Sequence, residues 1–475
     1  MIKKFLILFI FLIFSSTSSI AVVDVVYPTS KNTVINASNT FVFGNISNGN
    51  SLLINDKPAK IHNGNFFVEI VNLDYGKNEI VFTETDGSSK NEVIYYVTRN
   101  KPSSSAAASK ITFEEFNKDE IYYTKTIKNN ATVREAPTTA STRAVELPEN
   151  VVLYVDGKQG DYYRIKTNSH VKLWIHKTNI EQPVVISQQM NNIIKHHKFI
   201  EDEDYEYHKF NLTYPVLYTV KQSDNTLKLT LYGVKNKSHK VISEENFEYT
   251  FEINHPVVGY ECYYEDNKFV LKIAKVPQLK GSEILTGVKI FVDAGHGGVE
   301  KGAVGPTRVN EKDINLSIAN KLVELLKNDG AIVSYSRTDD RQVGLYERVN
   351  MAKDNNALIS VSIHNNSLPN GKSPYIQHGT EVHYYNENAK MLAHLININL
   401  VRDLNLKNNG IHRTSLALNR STNPVSVLVE VAYMINPEEY VLLMNPNFRD
   451  KAALSIANSI KQYVSLIRNE NKIVE

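Results

Sequence analysis

A change of sequence pattern near residue 287 is the feature that most constrains the fold of this chain. Before it, short apolar runs alternate with clusters of Gly, Asn and Asp, which is typical of strands joined by turns. After it, strand-like runs alternate with segments whose apolar residues recur every 3.6 residues. The chain is therefore predicted to have N-terminal all-β modules followed by a C-terminal α/β domain with a mostly parallel sheet.

The first strand-like run of the α/β segment ends in a glycine-rich turn that carries a histidine. Residues 288–293 read VKIFVD, and residues 295–298 read GHGG. Three glycines allow the backbone to turn sharply at the end of a strand. This pattern places His296 at the lip of a sheet, although a lone histidine in such a loop indicates little by itself.

Three further polar residues are expected at the same edge of the sheet. Glu311 opens the first predicted helix, His364 ends a strand, and Glu430 lies near the end of a later strand. Ligands of open α/β sheets bind outside the carboxyl ends of the strands. We therefore expect these side chains to converge with His296.

This set of residues predicts a catalytic zinc site. Two imidazoles, one carboxylate and an open position are a common catalytic zinc environment, so His296, Glu311 and His364 are the predicted ligands. Zinc activates a bound water and polarises a scissile carbonyl. The apolar neighbours of Glu430 favour a raised pKa, as a general acid/base requires.

Simpler interpretations exist for some of these residues. Glu311 could be an acid that the helix dipole favours at a helix N-terminus. Glu430 is harder to dismiss, because an unpaired acid inside an apolar strand is costly. Among the other imidazoles, His412 could line the substrate cleft. The histidines that could compete as ligands are His378, His383, His394 and His412.

The first 21 residues have the pattern of a secretory signal peptide. Two lysines precede a ten-residue apolar run at 5–14, and a cleavage site follows Ala21. The run is too short to remain as a membrane anchor, so we expect export to the periplasm or cell wall. The net charge of +2 gives no general attraction for nucleic acid. A single cysteine, Cys262, excludes an intrachain disulfide.

Residues 121–181 resemble a bacterial Src-homology-3-like wall-binding domain. The segments VREAP (133–137) and LWIH (173–176) occupy the expected places, although the usual closing aromatic-Gly-Trp element is altered to Leu-Trp. The remaining segments are assigned by composition and pattern. They are a β-sandwich-like domain at 22–100, a linker at 101–120, a β-rich domain of unknown role at 182–284 that opens with a helix at 187–198, a catalytic domain at 285–468 and a tail at 469–475.

The segment 288–466 closely resembles the zinc-dependent N-acetylmuramoyl-L-alanine amidases of bacterial cell-wall turnover. Ala294, Asn365 and Tyr433-Met434 depart from the usual pattern without removing a reactive group. The matching motifs are DAGHGG (293–298), NEKDINLSIANKL (310–322), SRTDD (336–340), LYERVNMA (345–352), ISVSIHNN (359–366), GTEVHYY (379–385) and VLVEVAYMINPEE (427–439).

The resemblance implies metal ligation by His296, Glu311 and His364, with Glu430 as the catalytic acid/base. It also implies peptidoglycan as the substrate, a role in cell separation, and a possible regulatory envelope protein as partner. The scissile bond would be the amide between N-acetylmuramic acid and the L-alanine of the stem peptide. Candidate substrate-binding residues are His412, Arg413 and Asn365.

Two other functions stay open at this point: a zinc peptidase that trims stem peptides, and a non-catalytic wall-binding scaffold. Some relatives of the amidase family insert a helix that plugs the zinc site. The interval between Tyr385 and Glu430 is too short for such a helix besides the elements predicted there, so an open site is expected.

Overall fold

The computed structural model describes residues 22–102, 111–167, 169–236, 246–279 and 281–474. The predicted signal peptide and residues 103–110 of the predicted linker (101–120) lie outside these residues. The chain divides into two compact units. The first comprises Met1–Lys101 with two short segments, Pro306–Arg308 and Pro369–Ser373, and the second comprises the rest of the chain.

The first unit contains nine strands in two sheets. One sheet has the order β1-β3-β7-β6 and the other β2-β9-β8-β4-β5. Buried side chains of both sheets, such as Val42, Phe67, Ile80 and Phe82, form one core, so this region is all-β as predicted. The strands are β1 (Asp24–Tyr27), β2 (Asn32–Val34), β3 (Asn39–Asn45), β4 (Ser51–Ile54), β5 (Lys57–Pro58), β6 (Ile61–His62), β7 (Phe66–Asn72), β8 (Gly76–Thr85) and β9 (Lys90–Arg99).

The second unit begins with a sheet of eight antiparallel strands. Its order is β13-β12-β16-β15-β14-β11-β17, and β10 pairs with β14. The all-β prediction is confirmed here, and the Src-homology-3-like assignment stays a prediction. The strands are β10 (Glu114–Glu115), β11 (Ile121–Lys125), β12 (Ala131–Arg134), β13 (Arg143–Leu147), β14 (Val152–Gln159), β15 (Tyr162–Ile165), β16 (Leu173–His176) and β17 (Val184–Ile186).

Residues 192–274 form three further small sheets, with the orders β18-β23, β19-β20-β26-β25 and β21-β22-β24. The helix predicted over 187–198 is wrong. This stretch forms two strands, because β18 pairs with β23 and β19 with β20, and a short window of sequence does not reveal such distant partners. The strands are β18 (Asn192–Ile194), β19 (His196–Glu201), β20 (Tyr205–Asn211), β21 (Tyr218–Ser223), β22 (Thr226–Leu231), β23 (Val234–Asn236), β24 (Phe247–Glu252), β25 (Tyr260–Glu265) and β26 (Lys268–Ala274).

These small sheets share a hydrophobic core with the preceding one. Leu153 and Ile175 belong to the same buried cluster as Leu229 and Phe269. The strands on the two sides of the predicted boundary at 181/182 therefore pack on a common core, and β17 lies beyond this boundary although it pairs with β11 of the first sheet.

The catalytic segment forms a six-stranded sheet in the order β28-β27-β29-β32-β30-β31. Four of its five strand pairs are parallel, and β30 runs antiparallel to β32. The prediction of an α/β domain with a mostly parallel sheet is confirmed, and the single antiparallel pair makes the sheet mixed. The strands are β27 (Lys289–Ala294), β28 (Ile332–Tyr335), β29 (Ile359–Asn366), β30 (Thr380–Tyr384), β31 (Asn408–Arg413) and β32 (Val425–Tyr433).

Five helices accompany this sheet. Helices α1 and α3 pack on its strands and against α5, while α2 places Ala352 against Phe291 of β27. Helix α5 continues to Val474 and so extends into the segment predicted as a tail at 469–475. No helix among the described residues is long and apolar enough to cross a membrane. The helices are α1 (Glu311–Asn328), α2 (Leu345–Asp354), α3 (Glu387–Leu404), α4 (Pro437–Met444) and α5 (Pro446–Val474).

Candidate functional site

Three side chains from three different elements meet at the carboxyl edge of the sheet. His296 follows β27 in a left-handed backbone conformation (φ 60°), Glu311 is the first residue of α1, and His364 lies near the end of β29. His296 Nε2 lies 3.2 Å from Glu311 Oε2, and His364 Nδ1 lies 3.0 Å from Glu311 Oε1. One ligand atom from each residue falls within 4.8 Å of the others. The convergence expected from the strand order is therefore present.

Two glycines leave the space that these side chains occupy. A Cβ atom at Gly295 would lie 2.4 Å from His364 Nε2. A Cβ atom at Gly302 would lie 2.4 Å from Glu311 Oε2 and 2.6 Å from the His296 ring. Any larger residue at either position would displace a predicted ligand.

Glu311 is held as a carboxylate in a buried position. Only 5% of the residue is exposed. Burial opposes its ionisation, but hydrogen bonds with His296 and His364 outweigh that cost and hold the pKa of Glu311 below its ordinary value. The backbone N–H of Ala303 donates to Oε2 (2.8 Å), and the side-chain amide of Asn315 donates to Oε1 (3.1 Å). The preference for acids at helix N-termini does not by itself explain why Glu311 has hydrogen-bond partners from several elements.

The donor set fits a metal ion. Among the described residues, buried His364 Nε2 has no hydrogen-bond partner, and His296, Glu311 and His364 are the group of side chains close enough together to hold a metal. The other candidate histidines do not join this group. Nitrogen and oxygen donors in a His2Glu set are those of catalytic zinc sites.

Glu430 stands beside these residues on the neighbouring strand. It is the register partner of His364 in the parallel pair of β29 and β32, so both side chains lie on the same face of the sheet. Its Oε2 atom is buried and has no partner among the described residues. Burial, followed by the charges of Glu311 and Glu381, raises the pKa of Glu430 well above its ordinary value.

The three candidate substrate-binding residues have different positions. Asn365 is buried, and its backbone N–H donates to Glu311 Oε1 (3.2 Å). His412, on the edge strand β31, has a half-exposed ring 5.4 Å from that of His383. Arg413 Nε donates to the carbonyl of Tyr385 (3.0 Å). Because β30 and β31 run antiparallel to β32, Arg413 ends its strand at the edge away from the ligands.

The sequence analysis missed Glu381, which lies at the same level as Glu430 on β30. The amides of Asn366 and Asn409 donate to its two oxygens, and His383 Nε2 and His412 Nε2 lie 3.4 Å and 3.5 Å away. Glu381 could have been found from the sequence, because it lies inside a strand-like run, GTEVHYY, and an acid in such a run was the signal that identified Glu430.

A buried ion pair supports the loop that carries His296. Asp293 (1% exposed) pairs with Arg348 of α2, and the Ser362 hydroxyl donates to Asp293 at 2.6 Å. Arg348 also donates to the carbonyls of Ala294 and His296, each at 2.7 Å. Arg348 of α2 thus holds the loop that carries His296 in place.

The chain is similar to several known proteins. A family model described as N-acetylmuramoyl-L-alanine amidase matches residues 290–462. The uncharacterized protein YqiI of Bacillus subtilis is 34% identical over 196 residues, 41% of this chain and 93% of that protein. N-acetylmuramoyl-L-alanine amidase LytC of B. subtilis is 34% identical over 39% of this chain and 37% of its own length. The probable cell wall amidase LytH of Staphylococcus aureus is 27% identical over 54% of this chain and 80% of its length.

The chain is also similar to solved structures. The catalytic domain of CwlV, an N-acetylmuramoyl-L-alanine amidase from Bacillus (Paenibacillus) polymyxa var. colistinus, has 32% identity. The match covers 38% of this chain and 98% of that structure, with a TM-score of 0.36.

At the carboxyl edge of its strands, the α/β sheet carries a His2Glu cluster that could hold a metal ion and a glutamate beside it, an arrangement typical of metal-dependent hydrolases. The chain belongs to the N-acetylmuramoyl-L-alanine amidase family. Its reaction is therefore hydrolysis of the amide bond between N-acetylmuramic acid and the L-alanine of the stem peptide in peptidoglycan.

Proposed function

We propose that this amidase is zinc-dependent, with His296, Glu311 and His364 as ligands and Glu430 as the general acid/base. One observation supports this proposal above all. Donor atoms from three separate elements lie within 4.8 Å of one another, and the register partner of one of them is Glu430. Structural ion pairs do not require a free nitrogen such as His364 Nε2.

His296, Glu311 and His364 would hold the zinc, and three protein ligands are the number that catalytic zinc sites use. When bound, zinc lowers the pKa of a coordinated water towards ~7 and polarises the scissile carbonyl. Glu311 supplies the negative charge of the site, because its two histidine contacts keep it ionised despite burial. Hydrogen bonds from Asn315 and Asn365 orient the same carboxylate.

Glu430 moves the proton in this proposal. In its ionised form, Glu430 removes a proton from the attacking water, and it then donates that proton to the nitrogen of the departing L-alanine. A raised pKa makes Glu430 a stronger base and lets it hold the proton between the two steps. Its position beside His364 places the carboxylate next to the metal ligands.

Substrate recognition is proposed to extend from Glu430 towards His412. Glu430, Glu381 and His383 lie on one face of the sheet, and His412 continues this row on the edge strand. His412 Nε2 lies 2.9 Å from the carbonyl of Asn409. A carbonyl only accepts, so Nε2 carries the proton and Nδ1 of the neutral ring is left to accept from a substrate N–H or O–H.

The other segments support a wall enzyme. An amidase of peptidoglycan acts outside the cytoplasm. We propose export through residues 1–21 and retention on peptidoglycan by the module at 121–181. The proposal also includes a role in cell separation and a regulatory envelope protein as a partner. The domain boundaries at 100, 181 and 284 are likewise proposed.

The test is metal analysis and product analysis of the mature protein. We expect one zinc per chain, loss of activity with a chelator and recovery with added zinc. Digestion of purified peptidoglycan should release complete stem peptides from intact glycan. Trimmed stem peptides would indicate a peptidase, and activity that resists metal removal would contradict the zinc mechanism.

A further inference from the structure

Arg337 is one of the largest fully buried side chains of the described structure, with 2% of its surface exposed. Its guanidinium donates to backbone carbonyls alone. Nε donates to Ala294 (3.0 Å), Nη1 to Asp339 (3.0 Å), and Nη2 to both Gly295 (2.9 Å) and Lys312 (2.8 Å). A buried arginine usually pairs with a carboxylate, so a set made only of carbonyls indicates a role in fixing backbone.

Three of the four carbonyls that Arg337 binds belong to two segments that carry proposed ligands. These segments are the end of β27 with the residue that follows it, and the first turn of α1. Ala294 and Gly295 immediately precede His296, and Lys312 immediately follows Glu311. The Arg337 guanidinium therefore bonds both to the backbone beside His296 and to the backbone beside Glu311, which are two of the proposed ligands. The third ligand, His364, lies within β29 and is positioned by the sheet itself.

Arg348 acts on the same loop but from another direction. It donates to the carbonyls of Ala294 and His296 and pairs with Asp293. Among the described residues, Arg348 bonds to Asp293 and Ala294 of β27, to His296 in the following loop and to the carbonyl of Val343. Arg348 thus ties the loop to α2, whereas Arg337 ties the loop to the start of α1.

The packing leaves Arg337 little freedom. A Cβ atom at Gly297 would lie 3.1 Å from both Cδ and Nε of Arg337 and 2.3 Å from the carbonyl of Arg341. The planar fork of arginine can donate to carbonyls in several directions at once, which a lysine ammonium on a flexible stem cannot reproduce. A lysine would also leave buried carbonyls without donors.

We propose that Arg337 is a positioning residue for the metal centre, which sets the separation of His296 and Glu311 by bridging the backbone beside each of them. The proposal rests on the proposed zinc site. Its consequence is a metal affinity that depends on a residue that does not touch the metal. Partners that orient metal ligands typically contribute about 10–100-fold to affinity.

The experiment compares Arg337→Lys and Arg337→Gln with a matched control in the full mature chain. Arg468 is also buried and also donates to backbone carbonyls, those of Pro277, Ile284 and Gln278, but it belongs to α5 and contacts no metal ligand among the described residues. Arg468→Lys therefore removes a similar interaction elsewhere. The measurements are the zinc Kd by chelator competition, the visible spectrum of the Co²⁺ form and the thermal unfolding of the metal-free protein.

We expect the zinc Kd of both Arg337 variants to rise about 10-fold or more, with an altered Co²⁺ spectrum and with activity recovered at saturating zinc. Arg468→Lys should keep the wild-type Kd and spectrum even if it unfolds at a lower temperature. An unchanged Kd in a folded Arg337 variant would refute the proposal. So would insoluble Arg337 variants beside a folded Arg468→Lys, because they would assign Arg337 a general stabilising role. A wild-type protein that binds no zinc would instead refute the metal centre itself.

Discussion

Glu430 and Glu381 lie directly opposite each other on β32 and β30, the one antiparallel pair of the catalytic sheet. Residues paired in this way point to the same face, so two carboxylates stand side by side next to the metal ligands. The negative charge of Glu381 contributes to the raised pKa of Glu430, after burial and the charge of Glu311. Glu381, which takes no part in the proposed proton transfer, thus influences the protonation of Glu430, the proposed acid/base.

Glu381→Gln should move the acid limb of the pH profile of kcat/KM to lower pH. Removing the neighbouring negative charge lowers the pKa of Glu430, so Glu430 becomes ionised at a lower pH and the base is available earlier in the titration. The measurement is the pH dependence of peptidoglycan hydrolysis at saturating zinc. The control is Glu439→Gln, which changes another buried acid that bonds to His378 instead. A limb that moves equally in both variants, or to higher pH, would contradict this reading.

His296→Ala and His364→Ala should each remove bound zinc, because three protein ligands are the usual minimum for such a site. We expect the purified variants to contain little metal and to have lost activity. His378→Ala serves as the control, since His378 pairs with Glu439 outside the ligand group. Normal zinc content in both ligand variants would show that the metal, if present, is held elsewhere.

Glu430→Gln should separate metal binding from chemistry. The amide keeps the volume of the side chain but does not accept the proton of the attacking water, so kcat should fall by about 100-fold or more. Zinc content should remain that of the wild type, because Glu430 is not among the predicted ligands. Turnover close to the wild-type value would move the acid/base role to another group.

Asp293→Asn should weaken β27 in a pH-dependent way. Burial opposes the ionisation of Asp293, but the charge of Arg348 and hydrogen bonds with Ser336 and Ser362 outweigh it and hold its pKa below the ordinary value. Such a group stabilises the fold at pH values above its unfolded-state pKa, and that contribution is lost as pH falls through the folded-state pKa.

The loss at neutral pH should be about 3–5 kcal/mol, because Arg348 keeps a buried charge without its partner. Hydrogen exchange of the β27 amides at pH 7 and at a pH below 3.8, the ordinary pKa of an aspartic acid, measures it locally. The difference between wild type and variant should be smaller at the lower pH. A difference independent of pH would show that Asp293 acts through packing alone.

Much of the catalytic domain follows from local sequence. Apolar runs and helical periodicity predict the strands that carry His364 and Glu430 and the helix that Glu311 opens, and the strand-like run at 288–293 agrees with β27 to one residue at each end. The predicted ligands and Glu430 rest on the rule that strand ends meet at one edge. The interval between β30 and β32, all of it described, holds α3, β31 and a short 3-10 turn at Ala417–Asn419, and no plugging helix.

Other features depend on pairing between distant segments, which sequence patterns do not report. The strand direction of β30 decided that Glu381 lies beside Glu430 and that Arg413 ends at the opposite edge. The partners of β18 and β19 turned a predicted helix into strands. Arg337 reads as an ordinary loop residue in SRTDD, and only its burial beneath two ligand segments reveals its four carbonyl partners. Within the catalytic domain, the sequence by itself determined the alternation of strands and helices and the candidates for the four central residues, because hydrophobic periodicity and side-chain type are local properties of the chain. The tertiary structure alone decided register, strand direction and the contacts that hold the ligands apart, because hydrogen bonds between distant segments form only when the chain has folded.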